Sequence, residues 1–436
     1  MTTYYCDLGE GTFADRSGAD STTNVLTGPA GLQAAIRGTG NATALAAGDT
    51  LYVKGTGDLS RLVLIDTNST DVTGWGIGDN VRNYDGSGDD WTGVVVETNA
   101  DGNLAADDKV LVWLASGKST ADIATADGIE NTDAGGGAGD PTSVDPITSD
   151  TPIGIIVDGN AGTLADGYIK VVGVNSSWTE DGTRAVLQGG DENRRGIDSK
   201  VHRLWLQNLE LTAFDGSTIY PALYLNTGSS DHAHFINIYI NGSARCVTSA
   251  SGSYVSWINC VFEGGDYGVF GPGAMSCFRY CKFDGCTNTG LDAGNGELQV
   301  IDCLFIGCAK GIYMDDDVAI HGCTFVGDPD TPAGIGVDLT YDGMAVMVGC
   351  RFTYLATGVS IDSSDSRPAF MYCYFGGNTA DLGGTGSSQY DAISIDGTTT
   401  LTLAGSDTNH GYEDPSSGDY NLASGATYRS VALEID

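Results

Sequence analysis

Val255-Ser-Trp-Ile-Asn-Cys-Val-Phe262, Ser276-Cys-Phe-Arg-Tyr-Cys-Lys-Phe283, Leu298-Gln-Val-Ile-Asp-Cys-Leu-Phe305 and Val318-Ala-Ile-His-Gly-Cys-Thr-Phe325 repeat one frame. The triplet Cys-x-Phe occurs six times, at Cys260/Phe262, Cys281/Phe283, Cys303/Phe305, Cys323/Phe325, Cys350/Phe352 and Cys373/Phe375, in steps of 21, 22, 20, 27 and 23 residues. Such a period marks stacked structural repeats. Apolar residues stand three, and often five, positions before each cysteine, as in Val255 and Trp257. Alternation at period two on both sides of a two-residue step predicts a short strand, a bend and a second short strand, with one face held inward. Helical spacing does not fit it.

The frame extends upstream without cysteine. Leu204, Leu206, Leu209 and Leu211 fill it with leucine, and Phe235, Ile238 and Ile240 fill it again. The cysteine position is therefore an apolar slot limited in size, and the eleven cysteines read as buried free thiols. A disulfide framework and a metal site are the other readings. Cys277, Cys281 and Cys286 have spacing that zinc tolerates, but no Cys-x-x-Cys or His pair lies nearby. A second ladder, Gly268-Val269, Gly290-Leu291, Gly311-Ile312, Gly336-Val337 and Gly358-Val359, predicts two or three strands per coil, with glycine where the backbone turns.

Four segments follow from this frame. Residues 1–66 predict an N-terminal cap and first strands. There Gly28 to Gly38 reads as an amphipathic helix begun by Pro29, a lid over the open coil end, and Leu62–Asp66 reads as a strand. Residues 67–150 predict a β-rich insertion carrying Trp75, Trp91 and Trp113, as exposed contact residues or as the core of a compact β domain. It leaves through a Gly-rich linker, Asp133 to Asp140. Residues 151–400 predict the solenoid, with Gly327 to Gly334 as an outward loop. Tyr390 to Leu403 reads as one or two last strands, and residues 401–436 predict a C-terminal cap in which Glu413 to Asp436, with Asp419–Leu422, folds over the open end.

With 20 Lys and Arg against 57 Asp and Glu, the chain carries a formal charge of −37. That sign opposes nucleic acid and anionic membranes as partners. Some Asp-rich turns could hold Ca²⁺, although no EF-hand loop or calcium-binding nonapeptide array is present. No run of eighteen apolar residues occurs, so no membrane-spanning helix is expected. The first residues lack a basic and then apolar stretch, so Sec export is not indicated.

Coil length, hydrophobic ladder and leading helix together resemble the right-handed parallel β-helix of the pectate-lyase-like superfamily, most of all the decoration and tailspike type of phage virion β-helices. The Leu32 helix and Gly48-Asp49-Thr50 resemble that superfamily's N-terminal cap. The expected fold class is all-β, a right-handed parallel β-helix with an N-terminal capping helix and a small β insertion. Enzymes of the superfamily work by β-elimination, with an Arg or Lys base beside Ca²⁺-bound carboxylates, or by hydrolysis with a carboxylate pair. The galacturonase-like branch carries Asn-Thr-Asp, Asp-Asp, Gly-His-Gly and Arg-Ile-Lys. This chain has Asn288-Thr289-Gly290, Asp315-Asp316-Asp317 and His321-Gly322, and no Arg-Ile-Lys.

Two further carboxylate sets emerge from the repeat frame. Asp292 and Asp338 follow equivalent Gly-hydrophobe pairs two coils apart, roughly 10 Å at the strand spacing, with Tyr313 between them. Glu263 and Asp284 each follow a ladder Phe one coil apart, roughly 5 Å, with Lys282 and Arg351 as outward neighbours. Solvated acids on an acidic surface are the competing explanation for both. His232 and His234 flank no cysteine, which leaves a His-based metal centre little to build on.

The expectation is a structural, binding-type β-helix of a bacteriophage virion, a capsid decoration protein or a fibre or spike component, assembled in the host cytoplasm. Its partners would be other capsid or tail proteins and a host surface glycan, and analogy with phage β-helices implies a homotrimer. The rival is a polysaccharide lyase or glycoside hydrolase acting on a surface polysaccharide. A bacterial adhesin is a third reading, disfavoured by the missing export signature.

Overall fold

A computed structural model describes residues 3–9, 25–37, 45–46, 48–67, 72, 75–83, 91–98, 109–118, 122–123, 128–133, 145–147, 155–157, 167–190, 195–199, 201–214, 221–225, 232–242, 244–249, 253–294, 296–340, 344–363, 366–385, 412–414 and 419–422. The fold is an all-β parallel solenoid that divides into two compact units, 1–244 and 245–436.

In the first unit, strands Leu26–Thr27, Thr3–Asp7, Thr50–Lys54, Ile169–Gly173, Leu204–Gln207 and His234–Ile236 form one parallel ladder. Thr56–Asp58, Ala185–Gln188, Leu209–Thr212 and Tyr239–Asn241 form a second, and Ile155–Val157, Ile197–Ser199 and Leu223–Leu225 a third. The helix Gly28–Arg37 caps this stack. Leu32 and Ile36 pack with Leu8, Val53, Val171 and Leu187, so the helix covers apolar surface that an open coil would expose.

Residues 62–66, 80–83, 92–98, 109–114, 129–131 and 145–147 make a separate six-stranded antiparallel sheet. Leu62–Asp66, which the sequence groups with the first solenoid strands, pairs here with Lys109–Leu114 and Asp145–Ile147. Trp75, Trp91 and Trp113 are all buried. Trp75 and Trp91 belong to a core with Val63, Val81, Val95 and Val112. Trp113 donates its indole N–H to the Asp58 carbonyl at 2.9 Å, beneath the Arg61 guanidinium. The tryptophans build this sheet's interior and are not a contact surface.

The second unit repeats one coil six times. Each coil places a strand in sheet A (Arg245–Ser249, Tyr267–Phe270, Thr289–Asp292, Lys310–Met314, Ile335–Leu339, Thr357–Ile361, closed by Ala380–Gly383). A second strand lies in sheet B (Ser256–Ile258, Ser276–Arg279, Leu298–Ile301, Val318–His321, Met344–Val348, Arg367–Met371) and a third in sheet C (Val261–Glu263, Lys282–Asp284, Leu304–Ile306, Thr324–Val326, Arg351–Thr353, Tyr374–Gly376). The strands of these coils pair in parallel within each sheet, as in Phe283↔Phe305 and Val300↔Ile320.

The predicted two-residue step lies between sheets B and C. Its first residue is left-handed in all six coils: Asn259, Tyr280, Asp302, Gly322, Gly349 and Tyr372 have φ between 51° and 65°. Asn208 and Asn237 hold the same place in the first unit, both at φ 54°. There the Asn208 side chain donates to the Gly173 carbonyl at 3.1 Å, and the Asn237 side chain donates to Asn208 Oδ1 at 2.8 Å. Asn tolerates this backbone better than most residues.

The second residue of the step is the cysteine. The chain turns at that point, and the Cys281 and Cys303 N–H groups donate to the sulfurs of Cys303 and Cys323 in the next coil, both at 3.4 Å. Cys281 and Cys323 in turn direct their thiols at carbonyls of the preceding coil, those of Trp257 at 3.5 Å and Val300 at 3.4 Å, while the Cys303 thiol meets the Ile301 carbonyl of its own coil at 3.3 Å. All eleven cysteines are free thiols. Burial pushes the Cys281, Cys303 and Cys323 thiols well above their ordinary range, so they remain protonated donors.

Two residues on, Phe262, Phe283, Phe305, Phe325, Phe352 and Phe375 form a continuous stack with ring centroids 4.6 to 4.9 Å apart. The sheet A glycines face these rings. Sequence reading gave Gly268, Gly290, Gly311, Gly336 and Gly358 to turns, yet they lie inside strands. A Cβ on Gly311 would stand 2.5 Å from the Gly336 carbonyl and 2.6 Å from the Phe325 ring, and Gly336 meets Gly358 and Phe352 in the same way. Space against ring and backbone, rather than turn geometry, demands glycine there.

The described C-terminal residues include an antiparallel pair, Tyr412–Asp414 with Asp419–Leu422. Tyr390 to Leu403 and most of the Asp133–Asp140 linker lie outside the described residues.

Gly311→Ala is expected to cost about 3 kcal/mol, because neither the Gly336 carbonyl nor the Phe325 ring can move without breaking a ladder. Gly307→Ala, at φ +60° with open space around it, is expected to cost only about 1–2 kcal/mol. Denaturant midpoints of the two variants would reveal the order.

Candidate functional site

Sheet A carries the first candidate set. Its outward columns are fixed by register: Phe270↔Asp292↔Tyr313↔Asp338↔Ser360 in one, and Tyr267↔Thr289↔Lys310↔Ile335↔Thr357 in the other. Asp292 and Asp338 are thus two coils apart with Tyr313 between them, as the Gly-hydrophobe frame requires. The two carboxylates differ in state. Asp338 is only 2% exposed, and its Oδ2 accepts from Lys310 Nζ at 2.7 Å. Lys310 also lies over the Tyr313 ring, 4.7 Å from its centroid. Asp292 is half-buried. Burial raises its carboxyl pKa and the neighbouring Asp315 adds to this, while Lys310 and Arg245 oppose it. Asp315 is engaged by the Thr340 hydroxyl in a short hydrogen bond.

Lys310 and Thr340 were not singled out from the sequence, and Asp315 entered only through the Asp315-Asp316-Asp317 fragment. Lys310 stands immediately before Gly311, in the column that precedes each ladder glycine. Attention to the residue after each Gly-hydrophobe pair passes over it, because residues 310 and 313 stand three apart and strict period-two alternation assigns them to opposite faces, whereas Lys310 Nζ reaches Asp338 in the structure.

Sheet C carries the second set. Glu263 and Asp284 are cross-strand neighbours, in register one coil apart. Lys282 Nζ holds Asp284 Oδ2 at 2.7 Å on the same strand. Arg351 is not a neighbour of this pair: the column runs Lys282↔Leu304↔Thr324↔Arg351, three coils on, and Arg351 lies over the Tyr374 ring. The two sets occupy different sheets and do not combine.

The motif fragments also stay apart. Asn288 donates to the Tyr267 hydroxyl at 2.6 Å beside sheet A, and Asp316 closes on the Asp317 N–H. His321 ends a sheet B strand, near Asp302.

Several Asp-rich turns close on their own backbone. Asp328 accepts from the Asp330 and Thr331 N–H groups, and Asp181 from the Thr183 N–H. The Thr183 hydroxyl and N–H pull the Asp181 carboxyl down to about 2. Among the described residues no group of three or more His, Cys, Asp or Glu is arranged to hold a metal ion.

Apart from His321 and Cys277, sheet B has no candidate from the sequence, yet it carries an open groove of about 540 Å³. Tyr254, Met275, Gln299, Asp317, Val318 and Met344 are among its lining residues.

In the first unit, His234 Nε2 lies 2.8 Å from the Tyr168 hydroxyl and tilts against Trp205. Burial, and then His232, lowers its pKa below 6.5. Folding therefore favours the neutral ring. That contribution is fully present above pH 6.5 and is lost as pH falls through the depressed folded value. His234→Gln should flatten the acid side of the stability profile, which melting temperatures from pH 7 to pH 4.5 would detect.

Lys310→Met should destabilise by about 2 kcal/mol, between the values for exposed and buried pairs, because Asp338 then keeps a buried charge without its partner. Lys310→Met/Asp338→Leu should recover most of it, a non-additivity that a double-mutant cycle measures directly.

No curated protein and no solved structure matches the chain. Residues 222–380 match the family described as right handed beta helix region, and the parallel ladders through those residues are the fold that this description names.

Proposed function

We propose that this chain is a structural, binding-type β-helix of a bacteriophage virion, a capsid decoration protein or a fibre or spike component, and that it is not an enzyme. The observation that carries this reading is the Lys310–Asp338 ion pair. The Asp292, Tyr313 and Asp338 set on sheet A has one carboxylate, Asp338, sealed at 2% exposure under a lysine. A general acid or base must reach its substrate, and a nucleophile must reach the sugar ring. Asp284, held by Lys282, is similarly engaged. Both pairs tie neighbouring side chains of the solenoid together, which serves rigidity.

The thiols support the setting. Nine of the eleven cysteines are buried and all are free, a composition suited to folding in a reducing cytoplasm, where virion proteins assemble. Partners on this reading are other capsid or tail proteins and a host surface glycan.

A polysaccharide lyase or glycoside hydrolase is the second reading, and Asp292 is what favours it. A carboxyl whose pKa is raised by burial is held at some expense of stability at neutral pH, a pattern common at catalytic acids. Because the folded pKa lies above the unfolded one, its contribution is present at low pH and lost as pH rises through the folded value. Asp292→Asn should therefore raise the melting temperature at pH 7.

Purified virions are expected to contain the protein at fixed copy number, by quantitative mass spectrometry. Acidic and neutral polysaccharides should show neither unsaturated products nor new reducing ends on incubation. Turnover that disappears in Asp292→Asn would replace the structural reading with the enzymatic one.

A further inference from the structure

Among the described residues, the large hydrophobic side chains that stand exposed are Tyr254, Met275, Tyr280, Met344, Met371 and Tyr372, between 47% and 65% accessible. All six border sheet B of the second unit. Tyr254 and Met275 stand two residues and one residue before its strands and Met344 begins one, whereas Tyr280, Met371 and Tyr372 stand at the opposite strand ends. Between these edges runs an uncharged floor, Ser256↔Cys277↔Gln299↔Ala319↔Val346↔Ala369, held in register across six strands. Over the middle coils the edges differ in charge, although Arg367 opens the last strand in register with Met344. Glu297 and Asp317 lie on the Met275 side, and Arg279 and His321 end their strands on the other, with Asp302 beside them.

We propose that a second copy of this chain packs on this face, sheet B against sheet B, about a twofold axis parallel to the solenoid. That operation reverses strand direction across the contact. It brings the Glu297 and Asp317 edge of each copy over the Arg279 and His321 edge of the other, and lays each floor residue against its own twin. The interface is isologous and closes on itself. Two chains of formal charge −37 repel one another. Contact is therefore favoured where the floor carries no charge and the edges are complementary. The face spans six strands, about 25 Å at the strand spacing, and buries on the order of 500 Å² per copy, below the usual size of a stable interface. The dimer accordingly dissociates on dilution.

Cys277 tests the geometry, because its half-buried thiol sits on the floor and meets its twin across the axis. A short bismaleimide should cross-link the intact chain into a species of twice its mass, and Cys277→Ser should abolish this. Sedimentation from micromolar to sub-millimolar protein should show monomer passing to dimer. Glu297→Arg or Arg279→Glu alone, both at exposed positions, should weaken the dimer at least tenfold, and the two together should restore it. A monomer throughout that range, a trimer, or a dimer that gives no Cys277 cross-link would each overturn the proposal. So would a dimer indifferent to both charge reversals.

Discussion

One steric relation supports the second unit: a phenylalanine ring from sheet C stands where a side chain on sheet A would have to be. Gly268, Gly290, Gly311, Gly336 and Gly358 leave that space open. The rings then stack at the strand spacing, with Phe305, Phe325 and Phe352 successively 4.7 and 4.8 Å apart. Offset ring stacking is worth about 0.5–1.5 kcal/mol per pair beyond burial. Its larger effect is on register. A coil displaced by one residue would turn its Phe outward and set a side chain against the ring below.

The bend between sheets B and C solves a related problem by other means. A backbone that turns in two residues uses a left-handed residue and interrupts the strand ladder. In the first unit Asn208 and Asn237 occupy the left-handed place and link coils through their amides. In the second, the left-handed place passes to Asn, Tyr, Asp or Gly, and the following sulfur links the coils. The cysteines thus combine apolar filling with weak hydrogen bonding at a site where leucine supplies only the first. Burial raises the pKa of Cys281, Cys303, Cys323 and Cys350 and keeps them as thiols, which is the protonation state that donates.

Charge is organised on the outward faces rather than in the core. Lys310 and Lys282 each engage a carboxylate, leaving Asp338 and Asp284 as members of local pairs. Sheet B lacks such pairs across its floor, and the exposed Tyr and Met side chains gather at its edges. An acidic chain with one uncharged, partly apolar face has a physical reason to place contacts there.

The six Cys-x-Phe triplets, with Leu209 and Ile238 in the same slot, determined the strand-bend-strand coil, its inward face and the parallel stacking. Period-two alternation permits few other readings when it recurs every twenty-odd residues. The same frame placed Asp292, Tyr313 and Asp338 in one column, because register follows from the repeat. Tertiary structure decided what the local pattern could not encode. It showed that the ladder glycines answer to rings contributed from another sheet, and that Trp75, Trp91 and Trp113 are interior. It brought Lys310 onto Asp338 and left Arg351 three coils from Asp284. Each depends on which side chains meet across coils, and a distance between residues 28 positions apart, such as Lys310 and Asp338, is set by the path of the whole turn and not by either neighbourhood in the sequence.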